Sequence, residues 1–325
     1  MMTMKKNNIL ILSAGRRVEL VQDFQAEAAK FSDGTKILCT DLNPKMSSAC
    51  QAADGAFAVP RISAPDYIDS IFELAQAQNI GLIIPTIDTE LLKLADARAR
   101  FAAAGIQIVV ADSALIRQCR DKRDTIALFE RHGITSPAIY TPYNITFPCF
   151  VKPYDGSRGI GAQALNTPEA LTDELKNDPK MMFCQLIDIQ HTFKEFTVDM
   201  YYNHEGRLKC AVPRERLEVR SGEVSKGATR RDWLYDFLLE KMAVLEGARG
   251  CITAQFFYHA QSRSVYGVEI NPRFGGGFPL TYAAGAHYPG WLIREYLYGE
   301  AVPFFDQWEN NLIMLRYDAK VLVRE

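Results

Sequence analysis

The sequence lacks any apolar run near the roughly 18 consecutive residues that a membrane-crossing helix needs. Its first apolar stretch, behind Lys5 and Lys6, is only Ile9-Leu10-Ile11-Leu12. That core is also too short for a secretion signal and reads as a buried first strand. Paired cysteines are missing too. The seven cysteines (Cys39, Cys50, Cys119, Cys149, Cys184, Cys210, Cys251) are odd in number, scattered and free of any CxxC pair. Neither a disulfide framework nor a zinc cluster is indicated. Five isolated histidines without an HExxH pattern argue against a transition-metal site. No sign of charge dominates: 37 Lys and Arg oppose 39 Asp and Glu, a net of −2. A nucleic-acid binder is usually far more basic. The Walker A pattern GxxxxGK[ST] is absent. These absences leave a cytoplasmic globular chain whose partners are neither nucleic acid nor membrane, and place any phosphate chemistry in local clusters.

What is present is a well-supplied core. With 48% hydrophobic residues, 18 Phe and 14 Tyr in 325 residues, disorder is excluded. The length points to two or three subdomains. Over the first 113 residues, predicted strands (9–12, 36–40, 82–85, 106–110) alternate with predicted helices (16–31, 66–78, 90–104). Short continuous apolar strands between amphipathic helices imply a parallel sheet covered on both faces. Ligands of such sheets sit beyond the carboxyl ends of the strands. Those ends carry Ser13-Ala14-Gly15-Arg16-Arg17, Asp41-Leu42-Asn43 and Thr86-Ile87-Asp88-Thr89-Glu90. A small α+β lobe is expected next: a helix over 114–118 and 122–132, strands over 147–152 and 181–187, and a helix over 168–176. From residue 193, strands over 195–203, 208–212, 251–259 and 264–271 predict an antiparallel sheet, with helices over 233–245 and 290–298. The fold class is therefore α/β and α+β, with domains 1–113, 114–188 and 189–325 packed together rather than strung on linkers.

Four clusters could carry chemistry. In Val151-Lys152-Pro153 and Asp155-Gly156-Ser157-Arg158-Gly159-Ile160-Gly161, three glycines let backbone N–H groups approach a polyanion. Lys152 could hold a phosphate oxygen as a point charge. A plain hairpin turn with a surface lysine would give the same pattern. In Val268-Glu269-Ile270-Asn271-Pro272-Arg273, strand alternation puts Glu269 and Asn271 on one face. A carboxylate and an amide oxygen are hard ligands suited to Mg²⁺. Gln255 joins them from the neighbouring strand, and Arg273 follows where a phosphate could sit. A solvated polar face is the alternative, but Gly275-Gly276-Gly277 next to it indicates a close backbone approach. The stretch from Arg207 to Arg231 holds eight basic residues against three acids. Beside a phosphate it would offset developing charge, with Arg214 and Lys226 the candidates, whereas an exposed charged hairpin needs no such role. Finally, Gly15-Arg16-Arg17 with Asp41 mimics a dinucleotide site, but the GxGxxG spacing is missing. An anion at this helix N-terminus, such as a substrate carboxylate, fits better.

Taken in order, these pieces resemble the ATP-grasp superfamily: a parallel N-terminal domain, a small lid lobe with Val-Lys-Pro and a glycine loop, and an antiparallel lobe ending Glu-x-Asn-Pro-Arg. Within it the chain looks most like a short, single half of the carbamoyl-phosphate synthase large subunit. The resemblance covers nearly the whole chain. It implies that Lys122 and Lys152 reach the nucleotide phosphates and that Gly156, Ser157, Gly159 and Gly161 close over them. Gln185, Leu186 and Ile187 would meet the adenine edge, and Glu195 the ribose hydroxyls. Gln255, Glu269 and Asn271 would hold Mg²⁺ (or Mn²⁺), with Arg273 beside the γ-phosphate. Gln255 replaces a common carboxylate, as in carbamoyl-phosphate synthase, and Gln185 an acid common at the hinge. The implied activity is an ATP-dependent ligase joining a small carboxylate to an amine through an acyl phosphate. A homodimer is compatible with the resemblance. A nicotinamide-dependent oxidoreductase using the N-terminal sheet and a non-catalytic ATP-binding regulator are the alternatives. Retention of Glu269, Asn271 and Arg273 disfavours the regulator.

Overall fold

The computed structural model describes residues 7–31, 34–156, 159–189, 191–220 and 222–324. Strands β1 (Asn8–Ile11), β2 (Ile37–Asp41), β3 (Gly55–Ala58), β4 (Ile80–Ile84) and β5 (Gln107–Ile108) form a parallel sheet in the order β3-β2-β1-β4-β5. Helices α1 (Val18–Ala28), α2 (Ser48–Ala52), α3 (Tyr67–Ala77) and α4 (Asp88–Ala103) connect its strands. Strand β4 is buried along its whole length, as expected of a sheet covered on both faces. The strand order reverses between β1 and β4, so the crevice beyond their carboxyl ends is where a ligand fits. Strand β3 and α2 were not expected from the sequence, because Gly55-Ala56-Phe57-Ala58 carries little apolar periodicity.

Helices α5 (Ser113–Arg120) and α6 (Lys122–Arg131) lead into a second, four-stranded sheet. Its strands β6 (Ile139–Tyr140), β7 (Cys149–Pro153), β8 (Gln163–Leu165) and β9 (Met181–Gln185) lie in the order β6-β9-β7-β8. The helix expected over 168–176 is instead a 3-10 turn at Pro168–Ala170 followed by α7 (Asp173–Asn177). Leu171 and Thr172 are extended, and the Thr172 hydroxyl accepts from the Leu175 N–H, starting a new helix. This small lobe has a core of its own, built on Cys149, Val151, Leu165 and Phe183.

The third sheet comprises β10 (Lys194–Tyr202), β11 (Leu208–Arg220), β12 (Glu223–Thr229), β13 (Gly250–His259), β14 (Ser264–Asn271) and β15 (Ile313–Leu315). Their order is β14-β13-β10-β11-β12-β15. The strand expected to end at 212 runs on to Arg220, and β12 and β15 are additional. Charged residues hid them: Arg214, Glu215 and Arg216 interrupt the apolar alternation but are paired across the sheet with Asp199, Arg230 and Glu195. Helix α8 (Trp233–Lys241) stops four residues short of the expected end. Helix α9 (Phe278–Ala283) precedes α10 (Tyr288–Leu292), which continues as a π-helix over Ile293–Leu297. One continuous apolar core runs from the first sheet into the third. All seven cysteines are unpaired and buried. Among the described residues, no helix is long and apolar enough to cross a membrane.

Candidate nucleotide and metal site

Strand register assembles the site. Thr197 of β10 lies between Arg214 of β11 and Gln255 of β13, and Gln255 in turn faces Glu269 of β14. Two residues along, Asp199, Thr253 and Asn271 form a parallel row. Alternation brings all of these to one face, so Gln255, Glu269 and Asn271 gather as the sequence predicts. Oxygen donors from one carboxylate and two amides fit a hard divalent cation whose remaining ligands are phosphate and water. Among the described residues, no group of three or more His, Cys, Asp or Glu is placed to hold a metal.

The small lobe leans on this face through Lys122. Its Nζ donates to Gly156 O (2.5 Å) and pairs with Glu269 Oε1 (3.3 Å). The gap between these groups, also walled by Asp88, Cys119 and Asn271, is about 20 Å³, room for about one water. Lys152 sits nearby on β7 with no carboxylate in ion-pair range among the described residues. Burial, and secondarily Lys122, pushes its ammonium below the usual lysine range. Gly159 and Gly161 adopt φ of +69° and +74°, which side chains rarely tolerate. Ser157 lies outside the described residues.

Arg273 is fixed by the N-terminal domain. Its Nε and Nη2 donate to the two carboxylate oxygens of Asp88 (2.9 and 2.6 Å), while Nη1 donates to Phe274 O (3.0 Å) and Nη2 to Asn271 Oδ1 (3.3 Å). Asp88 opens α4. The sequence pattern placed Asp88 at a strand end in the crevice but gave no sign that it grips Arg273. Arg214 is buried at 1% exposure, its Nε donating to Asp199 Oδ2 (2.9 Å). Asp199 also accepts from Thr253 and Thr281 hydroxyls. The Gly275–Gly277 loop rests directly on this layer. A Cβ at Gly275 would lie 2.9 Å from the Thr253 methyl, and one at Gly277 would collide with the Arg214 guanidinium. The Arg214 guanidinium thus lies under the loop, away from open space. Lys226 likewise stands apart, its Nζ on Glu218 (2.6 Å) at the surface.

Glu195 pairs with Arg216 Nη1 (2.6 Å); burial raises its carboxyl against the pull of that guanidinium. At the hinge, the Gln185 N–H donates to Ala138 O (2.8 Å), and its side-chain oxygen accepts from the Ala138 N–H (3.4 Å). Leu186 and Ile187 follow the strand end, where among the described residues no ladder uses their backbone groups.

In the N-terminal crevice, Glu90 accepts from Ser13 Oγ, Tyr67 OH and the N–H groups of Thr86 and Ile87 (2.7, 3.0, 2.8 and 3.2 Å), while burial pushes its carboxyl up. Asp41 accepts from the Gly15 and Asn43 N–H groups (3.2 and 3.3 Å). Its carboxylate is spent on its own turn and on the turn after β1, which leaves a dinucleotide ribose without its usual acid.

Three packed lobes meet at a junction where the lysine, carboxylate and arginine groups converge. The chain carries an ATP-grasp domain: residues 180–314 match the family "ATP-grasp in the biosynthetic pathway with Ter operon", and residues 9–109 match the family "PylC-like, N-terminal domain". Among solved structures, pyruvate carboxylase from Rhizobium etli has a TM-score of 0.71 at 14% identity, covering 94% of this chain and 30% of that one. The chain therefore spans less than a third of that protein. Biotin carboxylase from Campylobacter jejuni gives 0.71 at 15% identity, covering 94% and 74%. An L-amino acid ligase from Bacillus licheniformis gives 0.67 at 15%, covering 91% and 75%. No curated protein matches the sequence.

Proposed function

We propose that this protein is an ATP-dependent, ADP-forming ligase that joins a carboxylate to an amine or similar nucleophile through an acyl phosphate. The observation that carries the reading is the meeting of Lys122 and Lys152 from the small-lobe side with Gln255, Glu269, Asn271 and Arg273 at one junction of three sheets. We take residues 113 and 188 as the domain boundaries. Lys122 and Lys152 hold the nucleotide phosphates; Gly156, Ser157, Gly159 and Gly161 cover them. The backbone of Leu186 and Ile187, beside Gln185, reads the adenine edge, and Glu195, steadied by Arg216, the ribose. Gln255, Glu269 and Asn271 hold Mg²⁺ (Mn²⁺ being the substitute), which when bound neutralises phosphate charge.

The substrate carboxylate oxygen attacks the γ-phosphorus and the bond to the ADP oxygen breaks. The amine then attacks the acyl carbon and inorganic phosphate leaves. Arg273 and Lys152 offset the charge gathering on the transferred oxygens, and Asp88 keeps Arg273 aimed. No protein nucleophile is required. Arg214 supports the Gly275–Gly277 loop from below. Closure of the glycine loop shields the acyl phosphate from water. The finer likeness to a half of carbamoyl-phosphate synthase rests on Gln255. A cytoplasmic homodimer belongs to the same reading, the biotin carboxylase domain of Hydrogenobacter thermophilus 2-oxoglutarate carboxylase being a dimer.

The test is ADP release from Mg-ATP across pooled carboxylates and pooled amines, with Glu269→Ala as the blank. ADP is expected only where one pool of each kind is present. Release by Glu269→Ala at the wild-type rate would remove Glu269 from the site.

A further inference from the structure

Four guanidiniums converge where the first turn of the N-terminal domain meets the Gly275–Gly277 loop. Three have a carboxylate: Arg16 pairs with Glu223 (3.3 Å), Arg214 with Asp199 (2.9 Å) and Arg273 with Asp88 (2.6 Å). Arg17 is different. Among the described residues, it donates only to backbone carbonyls, Nη2 to Thr86 O (3.0 Å) and Nη1 to Gly275 O (3.4 Å). Burial, with Arg273 as the next cause, lowers its pKa to about 10, so it stays charged at neutral pH. Glu223 and Asp88 lie close enough to raise it, but they are paired with Arg16 and Arg273, so among the described residues this half-buried guanidinium has no carboxylate in ion-pair range, and two carbonyls leave donors unused. It also stands just past the carboxyl end of β1, in the crevice where the strand order reverses.

We propose that Arg17 is the counter-ion site for a second, non-reacting anionic group of the carboxylate substrate. The preferred acceptor of the phosphoryl group is then at least a dianion, one carboxylate directed to Arg273 and another carboxylate or a phosphate held by Arg17. This inference rests on the ligase reading above. It makes the N-terminal domain the specificity element: the segment that reads the remote charge is tied through Gly275 to the segment that holds Arg273, just past the strand ending at Asn271.

The experiment is Mg-ATP-dependent ADP release, with pooled amines, for matched substrates: butyrate against succinate, valerate against glutarate, glycolate against phosphoglycolate. Wild type, Arg17→Gln and Arg17→Lys are compared. A buried charge pair predicts kcat/KM about 30-fold or more higher for the dianions. Arg17→Gln should lower kcat/KM far more for the dianions than for their monoanion partners, erasing the preference, and Arg17→Lys should restore part of it. Succinate and glutarate responding without phosphoglycolate assigns a carboxylate to Arg17, and the reverse a phosphate. Equal use of both members of each pair by wild type overturns the inference and leaves the ligase intact. So does an Arg17→Gln enzyme that loses both members equally along with thermal stability, which would make Arg17 a clamp between Thr86 and Gly275. Silence from every pair, in protein shown by titration to bind Mg-ATP, sinks the ligase reading and takes the inference with it.

Discussion

An ammonium lodged in a cleft without a carboxylate beside it destabilises the empty protein, and Lys152 is that case. Replacing it by methionine is expected to leave the ligand-free Tm unchanged or higher. The same change should raise KM for ATP about tenfold to a hundredfold, the worth of a hydrogen bond to a charged group. Thermal melts with and without Mg-ATP, beside initial rates, check both halves; a lower Tm with unchanged KM would mark Lys152 as structural. Asp88 gives the complementary case. Asp88→Asn keeps the shape but loosens the grip on Arg273, so kcat should fall by about tenfold with KM for ATP little changed, as measured by steady-state kinetics. Lys152, Glu269, Asn271 and Arg273 were legible because short motifs carry them. The hold on Arg273 was not, because Asp88 lies 185 residues away in sequence and only the packed fold joins them.

Helix α1 carries acids at a spacing of four, Glu19, Asp23 and Glu27, on the side that meets α9 and α10. Glu27 is satisfied by Lys30, Tyr282 and His287. Asp23 has a buried oxygen with no partner, and burial, then its acidic neighbours, pushes its carboxyl up to about 8. Unfolded, the group ionises near 3.8. The native state therefore holds the extra proton between about pH 4 and 8, and stability falls as pH rises through that window. Asp23→Asn should stabilise the protein progressively over the same range, with no gain near pH 4; denaturant titrations at pH 4, 6 and 8 read it out. The glycine loop makes a steric prediction. Gly277→Ala drives a methyl into the Arg214 guanidinium and is expected to cost about 1–3 kcal/mol in chemical denaturation. Elements with plain periodicity, such as β1, β4 and α4, were readable in advance. The second half of β11 and the whole of β12 were not, because their charged residues are neutralised by partners across the sheet and local pattern gives no warning of that.

At the scale of the molecule, the small lobe owns a separate core while the first and third sheets share one. Among the described residues, its links to α6 are few: the Lys122 N–H to Tyr154 O (2.9 Å), Lys122 Nζ to Gly156 O (2.5 Å), and Arg123 stacked over the Tyr154 ring at 3.9 Å. A lobe with its own core and few links is the kind of unit that can close as a rigid body, which is testable. A non-hydrolysable Mg-ATP analogue is expected to slow amide exchange over 149–165 and leave β1 and β4 unchanged; uniform protection would refute a hinged lid. The three-lobe plan was readable because each lobe has its own texture, parallel, mixed, then antiparallel.

The contact between Lys122 and Glu269 has a consequence for supply. On the proposed assignment, the charge that would draw a metal and the charge that would draw a phosphate are spent on each other. Whichever ligand arrives frees the group its companion needs, and linkage requires that each strengthens the other by the same factor. On that assignment the cleft would act as a coincidence detector: bare nucleotide and bare cation would each be held weakly, and the complex of the two admitted before any bond is made.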